Sequence, residues 1–348
     1  MKRTTIAVDV AKAVFEVAVS QKPGRIAAKH RLSRSQFVRF LGQQPAATVV
    51  LEACGTAHFW GRQANALGHQ VVLLPPHAVR PYVPRNKTDR TDAKGLLEAV
   101  RNENIRPVPV KSVSQQTLAA LHRLRSTWIA ARTARLNTIR GILRELGYVI
   151  PLGATQVAPR VHRLIEDPDS GLPEALRSPL AEALEEIRGL ETRIRTTEKQ
   201  IAAIARQTPV VGRLRTIPGV GLLTATALVA CVGDVQRFPT GRRFASYLGL
   251  TPRESSSGLR RRLGAISKCG DSYLRMLLIH GARSFLWHAQ RVSTPTRLQT
   301  WALGVQSTRG HNKAAVALAN KLARIVWAIW KKGEVFHTEP AQLTSTEG

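Results

Sequence analysis

Short apolar runs typical of strands and stretches of helical period alternate along the first hundred residues. Residues 4–10, 13–20 and 25–31 are predicted to be three strands, the third after a turn at Pro23 and Gly24. After them the pattern alternates between helix and strand. The elements predicted there are a helix at 33–41, a strand at 48–51, a helix at 57–67, a strand at 70–74 and a helix from 88 or 89 to about 102.

The order of these elements predicts a fold class. Three strands joined by short connections favour an antiparallel meander, and the strand–helix pairs that follow favour parallel strands. This is the order of elements in RNase H-like folds. We therefore expect an N-terminal mixed sheet rather than a Rossmann domain.

The pattern changes to long helices after residue 112. Residues 114–147 read as one basic helix with apolar residues three and four apart. A Pro- and Gly-rich passage, 150–179, precedes a second helix with Leu180, Ile187, Ile194 and Ile201 seven residues apart. Two arrangements remain open for this helix, a coiled coil between subunits and a helical hairpin within the chain.

The sequence Ile-Pro-Gly-Val-Gly at 217–221 precedes an apolar helix at 222–232. Its glycines allow a tight turn that brings backbone N–H groups close to a phosphate, as in a helix-hairpin-helix motif. A purely structural turn would use the same glycines. The residues expected to contact DNA here are Pro218, Gly219, Gly221, Arg213 and Arg215.

Charge narrows the choice of partner. The 348 residues include 52 Lys and Arg against 23 Asp and Glu, a net charge of +29. The basic residues are spread over the whole chain, which favours nucleic acid over a membrane surface. Three scattered cysteines and the lack of a long apolar stretch predict a protein of the reducing cytoplasm without a membrane anchor.

Four acidic residues occupy positions that suit catalysis. Asp9 interrupts an apolar strand, Glu52 ends the fourth strand, and Asp89 and Asp92 lie three apart at a helix start. Because the first and fourth strands of an RNase H-like sheet are neighbours, the four carboxylates can converge on one or two Mg²⁺ ions. Helix capping by Asp89 and solvent exposure of Asp9 are the alternatives. Glu16, Glu98 and Glu103 are interpreted as surface residues.

A second cluster lies at 249–270, where three consecutive serines precede Gly258. A hydroxyl beside cations that hold a phosphate could act as a nucleophile, although composition alone indicates a flexible basic loop. Lys313, Lys321 and Arg324 are interpreted as a backbone-contacting face on the last helix. Four tryptophans are candidates for base stacking, although on apolar helices they more often belong to the core: Trp287, Trp301, Trp327 and Trp330. The basic residues expected to bind nucleic acid are Arg253, Arg260, Arg261, Arg262, Lys268 and Lys313.

Several motifs together resemble a known family, the DEDD-type insertion-sequence transposases related to the Piv DNA invertase. In the N-terminal part these are VDVAK, LEACGT and NKTDRTDA at 8–12, 51–56 and 86–93. In the C-terminal part they are IPGVG, FASYLGLTPRESSSG at 244–258, ISKCGDSYLR at 266–275 and NKAAVALANKLARIVWAIWKKG at 312–333. The resemblance covers residues 4–336.

The resemblance implies a RuvC-like domain with the tetrad Asp9, Glu52, Asp89 and Asp92, Mg²⁺ as cofactor, and Ser257 as nucleophile, with Ser255 and Ser256 close alternatives. It also implies a homo-oligomer that a structured noncoding RNA of the element guides to donor and target DNA in a prokaryotic cytoplasm. The domains expected are a catalytic domain at 1–105, a helical coiled-coil region at 112–208, a mostly helical transposase domain at 209–336 and a flexible tail at 337–348.

Two rival hypotheses remain. A RuvC-like junction resolvase or nuclease would use the tetrad to activate water and would not need Ser257. A DNA-binding protein with a degenerate nuclease domain would need neither, but the intact set of four acids argues against it.

Overall fold

The computed structural model describes residues 4–22, 25–83 and 89–337, and only the backbone of 89–91. Within these residues the chain divides into two compact units, Met1–Gln115 and Gln116–Gly348. The first holds a five-stranded sheet with strand order β3-β2-β1-β4-β5. Its strands are β1 (Thr5–Val10), β2 (Val14–Ser20), β3 (Ala28–Ser33), β4 (Thr48–Glu52) and β5 (Gln70–Leu74). Its helices are α1 (Arg34–Gln43), α2 (Ala57–Ala66), α3 (Pro76–Val79) and α4 (Asp89–Ala99).

The predicted mixed sheet is confirmed. β1 pairs antiparallel with β2 and parallel with β4, β2 pairs antiparallel with β3, and β4 pairs parallel with β5. Strands one and four are therefore neighbours, as expected for an RNase H-like order. Ser33 caps α1 through a capping box with Gln36, which fixes the turn from the meander into the first helix.

Each face of the sheet is covered by different helices. The residues Ile6, Val8, Val49 and Leu51 point to the face covered by α1 and α2. Ala7, Ala18 and Val50 point to the opposite face, where they pack with residues of α4. Because side chains alternate along a strand, Asp9 shares the α4 face with Ala7, Glu16 shares it with Ala18, and Glu52 shares it with Val50.

The second unit contains the long helices and a small hairpin. Its helices are α5 (Val113–Glu145), which begins at the end of the first unit, α6 (Val157–Glu166), α7 (Glu174–Arg206), α8 (Pro209–Arg215), α9 (Leu222–Val232), α10 (Gly241–Tyr247), α11 (Ser272–Ala289), α12 (Arg297–Arg309) and α13 (His311–Lys332). The hairpin consists of β6 (Pro252–Glu254) and β7 (Leu263–Ile266). Among the described residues, no helix is both long enough and apolar enough to span a membrane.

Helices α5 and α7 pair antiparallel within the chain. Three ion pairs mark the seam at 2.7, 3.9 and 2.8 Å, and the partner numbers fall as the arginine numbers rise: Arg125–Glu198, Arg132–Glu191 and Arg135–Glu186. The four heptad positions Leu180, Ile187, Ile194 and Ile201 are all buried. The apolar stripe that the sequence shows is therefore covered by an intramolecular hairpin, and a coiled coil between subunits is not needed to bury it.

The passage 150–179 is more helical than its proline and glycine content indicates. It contains α6, and α7 begins at Glu174, so that Pro179 lies inside the helix. Val157 and Val161 of α6 are fully buried against α5 and α7, which explains how a short helix persists there. Pro179 is the sixth residue of α7, so the helix lacks the N–H that would donate to the carbonyl of Ala175 and continues through the proline without that hydrogen bond.

A buried histidine joins α5 to the C-terminal helices. His122 Nδ1 lies 3.0 Å from the hydroxyl of Tyr273 on α11, and Nε2 lies 2.9 Å from the hydroxyl of Thr226 on α9. Since Thr226 donates to the carbonyl of Leu222 at 2.7 Å, its oxygen is the acceptor for the imidazole N–H, and Tyr273 donates to Nδ1. Burial, and secondarily Arg125, lower the pKa of His122 to about 4, so it is neutral in the folded protein.

Two short helices, α8 and α9, are joined by a turn that includes the 217–221 motif. Gly219 has φ +87°, and a Cβ atom at Gly281 of α11 would lie 1.9 Å from the carbonyl oxygen of Gly219. Glycine at 219 and 281 therefore permits a close backbone contact between the turn and α11. At Gly221, by contrast, a Cβ would meet nothing within 4 Å.

The boundary between the compact units lies at Gln115, a few residues after the expected boundary near 105–112. Leu118 of α5, Ile201 of α7 and Ala230 of α9 share one apolar cluster, so the helical region and the C-terminal helices pack together. The further division at 208–209 stays a prediction. Of the predicted tail, 337–348, all but His337 lies outside the described residues.

Candidate active site

Three carboxylates lie in one row across the sheet, on the face that α4 covers. Asp9 lies directly opposite Glu16 in the β1–β2 pairing, and Val8 lies beside Leu51 in the β1–β4 pairing. Continuing the parallel register by one residue places Asp9 beside Glu52. On the outer side, Glu16 lies opposite Arg31 and forms an ion pair of 3.6 Å with it.

The thiol of Cys54, two residues after Glu52, is subject to the charges of both predicted carboxylates. Burial raises the pKa of the Cys54 thiol, and the negative charges of Glu52 and Asp9 raise it further. Both carboxylates therefore act on the segment that follows β4. Two residues after Cys54, Thr56 has φ 68°, an unusual backbone conformation for a β-branched residue, and this sharp turn leads from β4 into α2.

Asp92 lies on the side of α4 that faces the sheet. Leu96 and Ala99, four and seven residues later on the same stripe, are buried in the apolar cluster with Ala7 and Val50. Asp89 is the first residue of α4, and its side chain lies outside the described residues. The structure thus brings Asp9 and Glu52 together and directs Asp92 toward their face.

Carboxylate oxygens are the ligands that Mg²⁺ and similar hard cations prefer, and two to four of them on one face of a sheet fit such an ion chemically. Within the part of the chain that the structure describes, no group of three or more His, Cys, Asp or Glu side chains is close enough to hold a metal. The pair Asp9 and Glu52 is therefore the described core of the candidate metal site.

The three serines lie in the exposed connection between β6 and β7, in the second unit. Ser257 and Arg260 exchange two backbone hydrogen bonds of 3.2 and 3.1 Å, and these close a two-residue turn over Gly258 and Leu259. Gly258 has φ +54°, as a two-residue hairpin turn requires at that position. The hairpin end is fully exposed.

The root of the hairpin is held tightly. A Cβ at Gly249 would lie 2.1 Å from the carbonyl oxygen of Cys269, and a Cβ at Gly270 would lie 2.1 Å from that of Tyr247. Arg275 on α11 donates to the carbonyls of Leu248 and Cys269, at 3.2 Å each. Asn320 on α13 donates to the carbonyl of Leu250 at 3.0 Å. Two crossing backbone segments and two side chains therefore fix the base from which the serine turn projects.

Ser256 and Ser257 differ in their hydrogen bonds. The hydroxyl of Ser256 donates to Glu254 Oε1 at 2.7 Å and accepts from the backbone N–H of Arg262 at 3.2 Å. That hydrogen bond, and to a lesser extent Arg261 at 3.3 Å, holds the pKa of Glu254 below its usual value. The hydroxyl of Ser257 forms no hydrogen bond within the described part of the chain.

The predicted nucleic-acid contacts lie at three places in the second unit, the hairpin, the end of α8 with the turn that follows, and α13. Arg253, Arg260, Arg261, Arg262 and Lys268 are exposed on or beside the hairpin, and Lys268 has φ +55°. Arg213 and Arg215 end α8, with Arg213 half-buried, Arg215 exposed, and Pro218 and Gly219 half-buried in the turn that follows. Lys313 is exposed on α13.

Sequence reasoning missed two acidic residues of these sites. Glu16 was taken for a surface residue, but its side chain is only 12% exposed and faces Asp9. Its position in an alternating strand, an even number of residues from buried Ala18, was the available signal. Glu254 carried no such signal, because its role depends on the hairpin register that brings Ser256, Arg261 and Arg262 together.

Two family models match the chain. One, described as a transposase of DEDD type from the IS110 group, matches residues 6–147, which include the carboxylates. The other, described as the transposase IS116/IS110/IS902 family, matches residues 211–297, which include the turn after α8 and the serine hairpin.

Curated relatives match over nearly their full length. A probable family 20 transposase of Pseudomonas aeruginosa is 40% identical over 94% of this chain and 97% of its own. The transposase for insertion sequence element IS1111A of Coxiella burnetii is 36% identical over 95% and 90%, respectively. The transposase for insertion sequence element IS1328 of Yersinia enterocolitica is 36% identical over 96% and 98%.

Proposed function

The chain belongs to the IS116/IS110/IS902 family of insertion-sequence transposases, and we propose that it cuts and rejoins DNA strands by Mg²⁺-assisted transesterification through Ser257. The observation that carries the proposal is the register that sets Asp9 and Glu52 side by side on neighbouring parallel strands, on the face toward which Asp92 is directed. Acidic residues so placed in so basic a chain suit phosphoryl transfer.

The carboxylates supply the electrostatic part of the reaction. Asp9, Glu52, Asp92 and Asp89 would hold Mg²⁺, which when bound neutralises phosphate charge and lowers the pKa of a coordinated hydroxyl or water. Glu16 lies in the same row and Arg31 offsets its charge, so the row does not concentrate all of its negative charge at one point. The chain's own contribution is to fix these side chains on a rigid sheet.

The serine supplies the nucleophile. Ser257 Oγ loses its proton and forms a bond to a DNA phosphorus, while the bond from that phosphorus to the 3′-oxygen breaks and the 3′-oxygen takes up a proton. The product is a 5′-phosphoserine and a free 3′-hydroxyl. Attack by another 3′-hydroxyl reverses these steps on a new partner, so the phosphodiester energy is conserved and ATP is not required.

Two features favour Ser257 over its neighbours. It lies at the exposed turn beside Gly258, and its hydroxyl is not engaged in a hydrogen bond within the described chain, whereas that of Ser256 is. Arg260, Arg261 and Arg262 follow directly and would hold the phosphate through charge-assisted hydrogen bonds.

The choice of sequence would come from an element-encoded noncoding RNA that pairs with donor and target DNA. A protein that delegates sequence choice to base pairing needs mostly backbone contacts, and a net charge of +29 suits that task. The carboxylates and the serine belong to different compact units, and a homo-oligomer could bring one set to the other at a single phosphate. The α8–α9 turn, with Pro218, Gly219 and Gly221, would contact the DNA backbone.

The alternative is a RuvC-like nuclease in which the carboxylates activate water and the C-terminal unit only binds DNA. The family model that covers the carboxylates favours metal-dependent cleavage in either case.

An excision assay separates the two mechanisms. A plasmid carries the gene between its native flanks, and circular-junction formation and protein covalently attached to DNA are measured for the natural chain, Asp9→Asn and Ser257→Ala. Glu98→Gln, an exposed acid on α4 that pairs with Arg101, serves as the matched control. The proposal requires that only the natural chain and the control form junctions and the adduct. Cleavage by Ser257→Ala without an adduct would establish the nuclease mechanism instead.

A further inference from the structure

A wide groove opens beside the root of the serine hairpin, within the second unit. Its volume is about 1220 Å³, and both hairpin strands and α12 and α13 line it, through Ile266, Trp301 and Val316 among others. Most of its wall is apolar. A second, smaller cavity of about 500 Å³ shares Trp301, Lys321 and Ile325 with it, so these three residues line both recesses.

The groove is basic as well as apolar. Lys313, Lys321 and Arg324 line it, and of its described lining residues none is acidic. Neither Lys321 nor Arg324 pairs with a carboxylate in the described part of the chain. Lys321 Nζ instead lies 4.0 Å from the centre of the Trp301 ring. Burial, and then the charges of Arg324 and Arg297, lower the pKa of Lys321.

Cations that line an apolar wall favour a ligand that has both an anionic group and a planar nonpolar surface. A bound anion relieves the repulsion among them, and burial of a nonpolar surface against the apolar wall is favourable. A nucleotide combines the two, because its phosphate binds lysine and arginine while its base packs on aromatic and aliphatic side chains. A duplex keeps its bases stacked inside and can offer this groove phosphates alone.

We propose that the groove binds a single strand of DNA, with an unstacked base against the wall formed by Trp301 and Ile325 and the flanking phosphates on Lys313, Lys321 and Arg324. The choice of DNA rests on the proposed function. β6 and β7 line the groove and lead directly to the serine turn, so a strand lying in it continues toward the phosphate that Ser257 attacks. The site thus holds unpaired DNA next to the cleavage position.

Binding by the full chain tests the proposal without requiring catalysis. A fluorescein-labelled oligothymidylate of about 12 nucleotides is titrated in chelator and followed by fluorescence anisotropy. Trp301→Ala should weaken binding about tenfold, the usual effect of losing one stacked base. Lys321→Gln should reduce the magnitude of the slope of log K against log salt by about 0.7, the value for one phosphate contact in a single strand.

Matched controls exist in the same unit. Trp287 is 52% exposed with Arg291 over its ring at 3.7 Å, and Lys331 lies over Trp327 at 4.9 Å, so both reproduce the cation–aromatic pair outside the groove. Trp287→Ala and Lys331→Gln should change affinity less than about twofold. Trp301→Phe, which preserves an aromatic wall, should retain most of the affinity if Trp301→Ala acts through stacking rather than through folding.

Two results would overturn the proposal. One is binding of oligothymidylate by Trp301→Ala and Lys321→Gln at the level of the natural chain. The other is an equal loss for oligouridylate or for a duplex of the same length, which would show an RNA site or a general basic surface. Failure of the serine mechanism appears separately, as a missing covalent adduct with groove binding intact.

Discussion

The hydroxyl of Ser256 donates a hydrogen bond of 2.7 Å to the carboxylate of Glu254, two residues earlier on the same arm of the hairpin that carries Ser257. Because the same oxygen accepts from the N–H of Arg262, Ser256 joins the two strands of the hairpin. The lowered pKa of Glu254 makes this carboxylate a weak base, better suited to holding a hydroxyl than to deprotonating it.

The two serines should therefore differ in mutants. We expect Ser257→Ala to abolish the protein–DNA adduct, and Ser256→Ala to reduce its rate by about tenfold or less through a loosened turn. Glu254→Gln, which retains a hydrogen-bond acceptor, should resemble Ser256→Ala. Adduct formation in a quenched time course measures all three. A complete loss in Ser256→Ala with retention in Ser257→Ala would assign the nucleophile to Ser256.

Mg²⁺ should stabilise the N-terminal unit through Asp9 and Glu52. Neighbouring carboxylates repel one another without a cation, so Asp9→Asn and Glu52→Gln should raise the melting temperature in chelator.

With Mg²⁺ at about 10 to 100 times its Kd, the natural chain should gain about 1–3 kcal/mol of stability, and the two variants should gain little. Calorimetry with and without Mg²⁺ measures both effects. A gain in Asp9→Asn equal to that of the natural chain would place the metal elsewhere, and Glu98→Gln should behave as the natural chain does.

The free energy of unfolding of the second unit should decrease when the pH is lowered from about 6.5 to 4. In the unfolded chain His122 takes up a proton near its usual pKa of 6.5, whereas in the fold its pKa is about 4. The unfolded state thus binds more protons in this range, so the contribution of His122 is complete above pH 6.5 and is lost as the pH falls toward 4.

Tryptophan fluorescence reports on this transition, because five of the six tryptophans of the sequence lie in the second unit and only Trp60 lies within 1–115. The variant His122→Phe should flatten the pH dependence between 6.5 and 4. At neutral pH it should cost about 1–3 kcal/mol, because the hydroxyls of Tyr273 and Thr226 lose their buried partner. An unchanged slope in His122→Phe would show that other groups govern the acid transition.

The close contact between Gly219 and Gly281 predicts a large effect of one methyl group. In Gly281→Ala the Cβ would lie 1.9 Å from a carbonyl oxygen, so the turn or α11 must shift, and we expect a loss of about 3 kcal/mol or more. Gly304→Ala is the matched control, since it also lies in a helix but its Cβ would meet nothing within 4 Å. That variant should be neutral or more stable by up to about 1 kcal/mol. Equal melting temperatures for the two variants would contradict the packing described here.

Much of the N-terminal unit could be predicted because its signals are local. The strands β1 and β4 lie where short apolar runs predict them, and Ser33 caps α1 as expected. The neighbourhood of Asp9 and Glu52 follows from strand order alone. The position of Asp89 relative to them does not, because it depends on how the connection before α4 runs.

The second unit was harder to predict because its interactions link residues far apart in sequence. The apolar stripe at Leu180 and Ile187 shows that a partner exists, but the identity of α5 as that partner depends on ion pairs such as Arg125 with Glu198. The helix α6 was not predicted, because the proline and glycine residues around it indicate an irregular passage. The hairpin at 252–266 was not predicted, because its serine and arginine content indicates a loop. Its base is positioned by the contacts of Gly249 and Gly270 with backbone about 20 residues away in sequence.

The two glycines at the root of the hairpin, Gly249 and Gly270, mark positions that cannot carry a side chain, whereas the turn beyond them can change in sequence. Gly249 and Gly270 leave no room for a side chain, whereas Leu259 at the turn is fully exposed and a Cβ at Gly258 would meet nothing within 4 Å. The turn can therefore be lengthened or rewritten without disturbing the helices beneath it. For protein engineering, this makes the segment between Ser257 and Arg260 the natural place to transplant a different nucleophile-bearing loop.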